Sequence, residues 1–405
     1  MTVLPKIISV DDHVIESPDL WTTRVSAKHR DAAPRLLRGP GLIGVFRNGE
    51  HVYEEREGLG PCDYWVFGNV RMPVTRSFSA VGFDRKQVDM VGITYDAMPE
   101  ASYVPSARLA AMDEDGVEAS VCFPNLIPRF AGQTFLEAKD KDLAIECVHA
   151  YNDWIVDEWC GDSGGRLIPL CLIPLWNPTL AAQEVYRNAG RGVRAVTFTE
   201  LPWRLGLPSI HEPGGHWDPF FSACNETGTA ICMHIGSSGL PTSSVDAPFA
   251  VASSNVFGFA MLSMADWLFS GLFERFPKLK ILYSEAEIGW IPALLERADR
   301  KWELNPTYYD VNRVKRKPSS YYFDHVYGCF ISDPHGVKNI EAVGENNVMI
   351  ETDFPHSDTT YPNSQQSAEK ELACLTDAQR EKVMRGNAIR VFELPFATTA
   401  TTATS

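Results

Sequence analysis

The sequence has nine cysteines but no CxxC pair and no zinc-finger spacing, so neither a redox dithiol of that kind nor a cysteine-held structural zinc is expected. Several of them (Cys122, Cys171, Cys232, Cys329) lie inside apolar, strand-like runs and read as small reduced core residues. Positive charge is scarce. With 52 acidic against 37 basic residues, the formal net charge of -15 argues against a general affinity for nucleic acid or anionic membranes. The expected partners are therefore small molecules or protein. The chain opens on no charged-then-apolar leader, and its longest apolar run, Val251 to Phe276, is interrupted by Asp266, Glu274 and Arg275. That run is expected to be a buried helix, not a membrane span, in a cytoplasmic protein. No glycine-rich phosphate turn follows the first strand, which weakens an open, doubly wound nucleotide-binding sheet.

What the sequence does have is concentrated near its start, in Ile7-Ile8-Ser9-Val10-Asp11-Asp12-His13-Val14-Ile15-Glu16. β-Branched bulk predicts a short buried strand, which then ends in four ionisable groups. Side chains alternate along a strand, so Asp11 and His13 share a side, and an oxygen and an imidazole nitrogen on one side suit a divalent metal. A salt-linked pair at a strand end is the plainer alternative.

From about Ser17 to Pro105 the chain is rich in Gly, Pro and charged clusters and is expected to form a long irregular insertion or lid. Beyond it, strands and helices alternate. Strands are predicted at Val117 to Pro124, Arg166 to Leu175, Val193 to Thr199, Ala230 to Ile235, Leu279 to Glu285, Val326 to Ser332 and Val348 to Asp353. With the first, that makes eight, mostly apolar along their length and separated by helix-length segments. Strands buried on both faces imply a parallel sheet, and eight of them close most simply as an α/β (β/α)8 TIM barrel spanning one domain, 1–395. The Thr/Ala/Ser tail, 396–405, is expected to be disordered.

In such a barrel active sites form at the carboxyl ends of the strands. Strand one ends in Asp11 and His13 with Glu16 just beyond, the fifth in His234, the sixth in Glu285, and the eighth in Glu351-Thr352-Asp353-Phe354-Pro355-His356. So many charges brought together would be costly to bury unpaired, and bound cations resolve the conflict.

An acidic-x-His pair on strand one, a His ending strand five and an Asp ending strand eight resemble the amidohydrolase superfamily. The branch is the one that contains aminocarboxymuconate-semialdehyde and γ-resorcylate decarboxylases. His-Trp-Asp-Pro at 216–219, Gly-Trp-Ile-Pro at 289–292 and Asp-Phe-Pro-His at 353–356 resemble that branch as well. The resemblance covers most of the chain and implies that Asp11, His13, His234 and Asp353 are metal ligands. Two positions depart from it. Glu285 stands where the decarboxylases carry a catalytic His, and Ile15 replaces the second His of the usual His-x-His pair. Glu16 and Glu285 would then add oxygen ligands, with His356 a further candidate, and a carboxylate-rich shell suits iron or manganese better than zinc. That mix resembles a subgroup of dinuclear non-heme monooxygenases, among them hydroxylases of 2-aminoisobutyrate and of a diterpenoid intermediate.

Two enzymatic functions follow as expectations. The first is a monooxygenase with two metal ions, Fe/Fe or Fe/Mn, hydroxylating a small metabolite with electrons from a separate reductase or ferredoxin, since no flavin, nicotinamide or iron-sulfur motif is evident. The alternative is a hydrolase or non-oxidative decarboxylase of a small carboxylic acid, with zinc if a hydrolase. Glu285, Asp353 and His356 are the candidate catalytic groups. Arg204, His211, His216 and Trp217, on the loop after strand four, are candidate substrate contacts, weighed against plain loop structure. His149 is read as structural, and Asp333 as a helix cap. Val251 to Phe276 and Trp302 to Tyr309 are candidate homo- or hetero-oligomer contacts.

Overall fold

The order of elements along the chain separates a parallel barrel from an antiparallel insertion. A computed structural model describes residues 4–397. Eight parallel strands form the barrel: β1 (Ile7–His13), β7 (Val117–Phe123), β8 (Leu167–Pro169), β9 (Ala195–Phe198), β10 (Ala230–His234), β11 (Ile281–Ser284), β12 (Val326–Phe330) and β13 (Val348–Ile350). The other five, β2 (Arg35–Gly39), β3 (Leu42–Arg47), β4 (Glu50–Glu55), β5 (Cys62–Phe67) and β6 (Val70–Pro73), lie between β1 and β7.

The barrel ladder runs in two parts, β1-β7-β8 and β9 to β13, joined at two seams. Pro169 and Pro174 shorten the expected Arg166–Leu175 strand, because proline cannot donate to a ladder. Cys171 still bridges to β9: its N–H donates to Ala195 O (3.2 Å) and its carbonyl accepts from Thr197 N (2.9 Å). The β13/β1 seam is held by Asp353 N to Asp11 O (3.0 Å) and His13 N to Phe354 O (2.6 Å).

Asp12 reinforces that second seam. Its Oδ1 accepts from Ser9 Oγ (3.0 Å), Thr352 Oγ1 (2.7 Å) and Phe354 N (3.0 Å), and its Oδ2 from Ser120 Oγ. One carboxylate thus ties three strands.

Alternation along the strands sorts the apolar residues into two layers. Ile8, Val10, Phe123, Cys232, Leu282 and Met349 fill the barrel, closed below by Ile389 and Phe392 of the C-terminal helix Asn387–Phe392. Ile7, Cys122, Ile231, Met233, Ile281 and Tyr283 face the surrounding helices. On β1 the pattern is interrupted by a register shift between Ser9 and Asp12, where the strand gains a residue against β7. This bulge re-aims the strand, as bulges beside active sites do. Without it Asp12 would follow Ile8 and Val10 inward; with it Asp11 and His13 point into the barrel mouth.

The expectation of an irregular 17–105 segment is corrected. It holds a three-stranded antiparallel sheet, β2-β5-β6, and the hairpin β3-β4, and Trp65 of β5 packs edge-to-face on Trp21 (5.1 Å between ring centroids). Its short strands face solvent on one side and carry Gly and Pro at their ends, so the sequence shows little periodicity. The long helix expected over Val251 to Phe276 is also corrected. It is three helices, Phe249–Ser254, Gly258–Phe269 and Leu272–Arg275, the last break at Gly271 (φ +75°), and only one side is buried. In the tail, Phe396 packs against the cluster beneath the barrel, and residues 398–405 lie outside the described residues.

Candidate metal centre

Strand ends bring Asp11, His13, His234, Glu285 and Asp353 together: His234 and Asp353 follow the alternation of β10 and β13, Asp11 and His13 follow the bulge of β1, and Glu285 stands in left-handed backbone just past β11. His13 Nε2 lies 3.4 Å from Asp11 Oδ1, 3.5 Å from Asp353 Oδ1 and 3.2 Å from His234 Nε2. His234 Nε2 lies 3.4 Å from Asp11 Oδ2 and 3.3 Å from Glu285 Oε2. Both imidazoles place Nδ1 near a backbone carbonyl, Pro124 O at 3.3 Å for His13 and Ile235 O at 2.6 Å for His234. Donation there leaves the Nε2 lone pairs facing inward, the arrangement that outer partners impose on metal-binding histidines.

Both carboxylate oxygens of Asp11 and of Asp353 are fully buried without a hydrogen-bond donor. Buried carboxylate oxygens without partners are costly, and a cation is the partner that satisfies them together with two lone pairs. Ligand atoms about 2.1 Å from one cation sit about 3.0 Å apart in an octahedron and about 3.4 Å in a tetrahedron, close to the separations here. Asp11, His13 and His234 form one potential ligand set, and His13, Asp353 and His356 a second that shares His13. The residues present therefore fit a divalent metal.

Electrostatics agree. Burial, then repulsion from Glu351, Asp353 and Glu285, holds Asp11 well above the usual carboxylate range. Glu285 is raised by burial and then by Asp353, Glu351 and Asp358, and Asp353 by burial and then by Glu351 and Asp358. Burial pulls His234 and His356 down to about 3, and His13 falls as well, helped by its neighbouring imidazoles. Burial thus disfavours the charged form of every group here, and a bound cation would favour the ionised acids that ligate it. Glu285 (φ +58°) and Asp353 (φ +49°) also adopt left-handed backbone, a strain that clusters at functional sites.

Glu16 is placed elsewhere, a correction to its expected role as ligand. Its carboxylate accepts from Asn125 N (2.8 Å) and Leu126 N (3.1 Å), so it organises the loop after β7. Glu351 takes a place near the centre that the sequence reading did not assign. It shares the inward side of β13 with Asp353, accepts from Glu285 N (3.1 Å) and from the Cys329 thiol (2.7 Å), and keeps Oε1 unpartnered. The Glu-x-Asp spacing was its signal. Asn125, which donates to His356 Nε2 (3.0 Å), and Phe130, stacked on His234 (3.9 Å), had none. His356 itself stacks on His13 (3.8 Å) with Nδ1 3.0 Å from Asp353 Oδ1.

The four expected substrate contacts are not brought to this cluster. Trp217 is core, packed on Phe198 with its indole N–H on Pro208 O (2.8 Å). His216 stacks edge-on against it (4.9 Å). His211 pairs with Asp266 (3.2 Å), and Arg204 donates to Ser238 O (3.1 Å) while lying over Phe259. These roles as substrate contacts are withdrawn in favour of loop structure. His149 pairs with Glu184 (3.2 Å), and Asp333 caps its helix through Gly336 N (2.8 Å). All nine cysteines are free thiols, eight of them buried.

A cleft of about 970 Å³ opens beside the centre, walled by Glu287, His356 and Asp358 on the barrel side and by Val81, Phe83 and Arg85 of the insertion. The Arg85 guanidinium donates to Thr359 O across it and is the one cationic side chain among the described residues of the lining.

A family model described as amidohydrolase matches residues 97–394. The chain belongs to the amidohydrolase family. Among curated relatives of this amidohydrolase, γ-resorcylate decarboxylase from Polaromonas sp. strain JS666 is 23% identical over 314 residues, 72% of this chain and 88% of its own. Its counterpart from Rhizobium radiobacter is 23% identical over 311 residues, with the same coverage. Among solved structures, an amidohydrolase from Mycobacterium avium subsp. paratuberculosis K-10 superposes with a TM-score of 0.70 at 21% identity, covering 96% of this chain and 99% of that one. So high a coverage takes in most of the 17–105 insertion. The 5-carboxyvanillate decarboxylase of Novosphingobium aromaticivorans, complexed with manganese and 4-hydroxy-3-methoxy-5-nitrobenzoic acid, superposes with a TM-score of 0.60 at 19% identity over 73% of this chain and 82% of its own.

Proposed function

We propose that this amidohydrolase is a metal-dependent, non-oxidative decarboxylase of a small carboxylic acid, with Asp11, His13, His234 and Asp353 as its metal ligands. The observation that carries the reading is the gathering of donorless Asp11 and Asp353 carboxylates around His13, in two ligand sets that share that imidazole, beside an open cleft. The curated relatives, decarboxylases by name, favour this chemistry over oxygen activation. Residues 1–395 would act as one domain, with the insertion as a wall of the site.

When bound, the divalent cation supplies positive charge that holds the substrate's oxygens and offsets charge building up as the bond to the carboxyl group breaks. The electron pair of that bond stays on carbon, CO2 leaves, and the carbon takes a proton. Glu285, whose Oε2 lies 3.3 Å from His234 Nε2, holds that proton. His356 is steadied by Asn125, with Nδ1 facing Asp353 Oδ1. Arg85 steers the anionic substrate into an otherwise acidic cleft.

Manganese-loaded protein incubated without oxygen with 2,6-dihydroxybenzoate and with 5-carboxyvanillate should release one CO2 per substrate consumed. Absence of turnover on a panel of hydroxylated aromatic acids, with oxygen uptake once a reductant is added, would overturn the reading in favour of a second.

That second reading is a dinuclear monooxygenase served by a separate reductase. The specific observation in its favour is the acidity of the centre: Asp11, Glu285, Glu351 and Asp353 surround two overlapping ligand sets, enough negative charge for two divalent ions. Elemental analysis separates the two. About one manganese or zinc per chain fits decarboxylation, and about two ions including iron fits oxygenation.

A further inference from the structure

One buried charge has no explanation in the core. Arg108, on the helix Pro105–Asp115, is 0% exposed, and among the described residues it forms no ion pair. Arginine is seldom buried so completely without a carboxylate partner, because its charge leaves water uncompensated. Its guanidinium instead donates from Nη2 to His13 O (2.6 Å) and from Nε to Ala101 O (2.8 Å), and it lies over the Phe354 ring (4.2 Å). Nη1 has no partner among the described residues. With Asp12 and Asp115, Arg108 lines a void of about 10 Å³, room for one water to complete its bonds.

The His13 carbonyl is where the barrel ladder runs out. The N–H and C=O of one strand residue point to the same side, so after His13 N to Phe354 O (2.6 Å) a parallel ladder would continue from His356 N to His13 O. That N–H is committed to Asp353 O (2.9 Å), because the chain turns off at Pro355. Arg108 supplies the missing donor. Through Ala101 it also holds the end of the insertion, where the next carbonyl, Ser102 O, accepts from Ile15 N (2.9 Å).

We propose that Arg108 is a positioning residue of the metal centre, setting the spacing of His13 and Asp353 from outside the barrel. The inference rests on the ligand assignment proposed above. The hydrogen bond fixes the backbone of His13, and the flat face of the guanidinium fixes the ring of Phe354, the residue after Asp353. One rigid group thus spans two strand ends that each carry a ligand, as outer partners of metal ligands do. The planar fork is essential to this. A lysine ammonium is a compact point charge and cannot lie flat on the ring while it holds two carbonyls.

Titration of the full chain with manganese after chelation, followed by electron paramagnetic resonance of the free ion, tests this without a substrate. Arg108→Met should weaken binding by about tenfold to a hundredfold, the usual loss when the support of a ligand is removed. Arg108→Lys keeps the charge, is the milder change should the first variant not fold, and should weaken binding about tenfold. Val148→Ala, which opens a cavity under the helix Lys141–Trp154, should lower the melting temperature yet leave manganese affinity at the wild-type value. Wild-type affinity in both Arg108 variants, or an equal loss in Val148→Ala, would overturn the proposal. A wild-type chain that binds no manganese would overturn the ligand assignment and the proposal with it. Binding that the Arg108 variants weaken, in a protein that decarboxylates nothing, would support the proposal and overturn only the reaction.

Discussion

Replacing Asp12 tests whether the β13/β1 seam is held as described. Asp12→Ala removes a carboxylate that accepts from Ser9, Ser120, Thr352 and Phe354. The three hydroxyls can turn to other acceptors, as Ser9 Oγ already does toward Asp11 O (3.1 Å), but the Phe354 N–H cannot. That orphan costs about 1–3 kcal/mol. Arg108 donates to Ala101 O and His13 O and does not pair with Asp12, so the loss is that of the hydrogen-bonded seam, about 2 kcal/mol. For a chain of 405 residues the unfolding entropy is about 0.85 kcal/mol/K, so the melting temperature should fall by about 2–3 °C. Asp12→Asn keeps an oxygen for Phe354 N and turns an amide toward Ser120 Oγ, and should cost less than half as much. Both variants should also weaken manganese binding about tenfold, because Asp11 and His13 flank the seam residue. Differential scanning calorimetry and a metal titration read the two effects. An Asp12→Ala protein that melts within about 1 °C of the wild type would refute the seam argument, and equal losses for both variants would refute the role of the hydrogen bonds.

The metal centre predicts its own linkage. Manganese at a hundred times its dissociation constant should stabilise by about 2.7 kcal/mol, about 3 °C here. The shift should vanish on chelation and in Asp11→Asn or His234→Ala, yet survive in Glu16→Gln, whose carboxylate serves the Asn125 loop. Glu184 predicts an acid limb. Burial pushes its carboxyl up, but hydrogen bonds from His149, Arg187 and Asn152 outweigh burial and hold it down to about 2 from an ordinary 4.5. A carboxyl depressed by folding stabilises above its unfolded value and loses that stabilisation as pH falls toward its folded value. Thus about 3 kcal/mol should drain away between pH 4.5 and 2, and urea titrations of Glu184→Gln should lack that slope. Arg85→Met should raise KM for a carboxylate substrate about tenfold with kcat nearly unchanged, since its charge acts on capture and not on bond breaking; an equal fall in kcat would place Arg85 in the chemistry.

The barrel was legible because its evidence is local. Continuous apolar strands such as Ala230 to His234 and Ile281 to Ser284 announce burial on both faces, and the polar residue that ends each one marks the mouth. The insertion was less so: strands like Arg35–Gly39 and Glu50–Glu55 are half exposed, and their pairing follows from contacts between segments, not from period. The same holds for Phe249–Phe269, whose composition predicts burial and whose surroundings leave half of it bare.

By itself, then, the sequence determined which strands exist and which side chains stand at their tips, since strand alternation is a property of neighbouring residues. Glu351 was legible on that rule too, two residues before Asp353. What only the tertiary structure decided is direction. The bulge between Ser9 and Asp12 exists only against β7, and it sends Asp11 and His13 into the barrel while Asp12 goes to the seam. Glu16 lies just past the strand, where alternation no longer applies. Its carboxylate went to amide donors at Asn125 and Leu126, more than a hundred residues away, because a buried acid takes the donors that the fold places beside it.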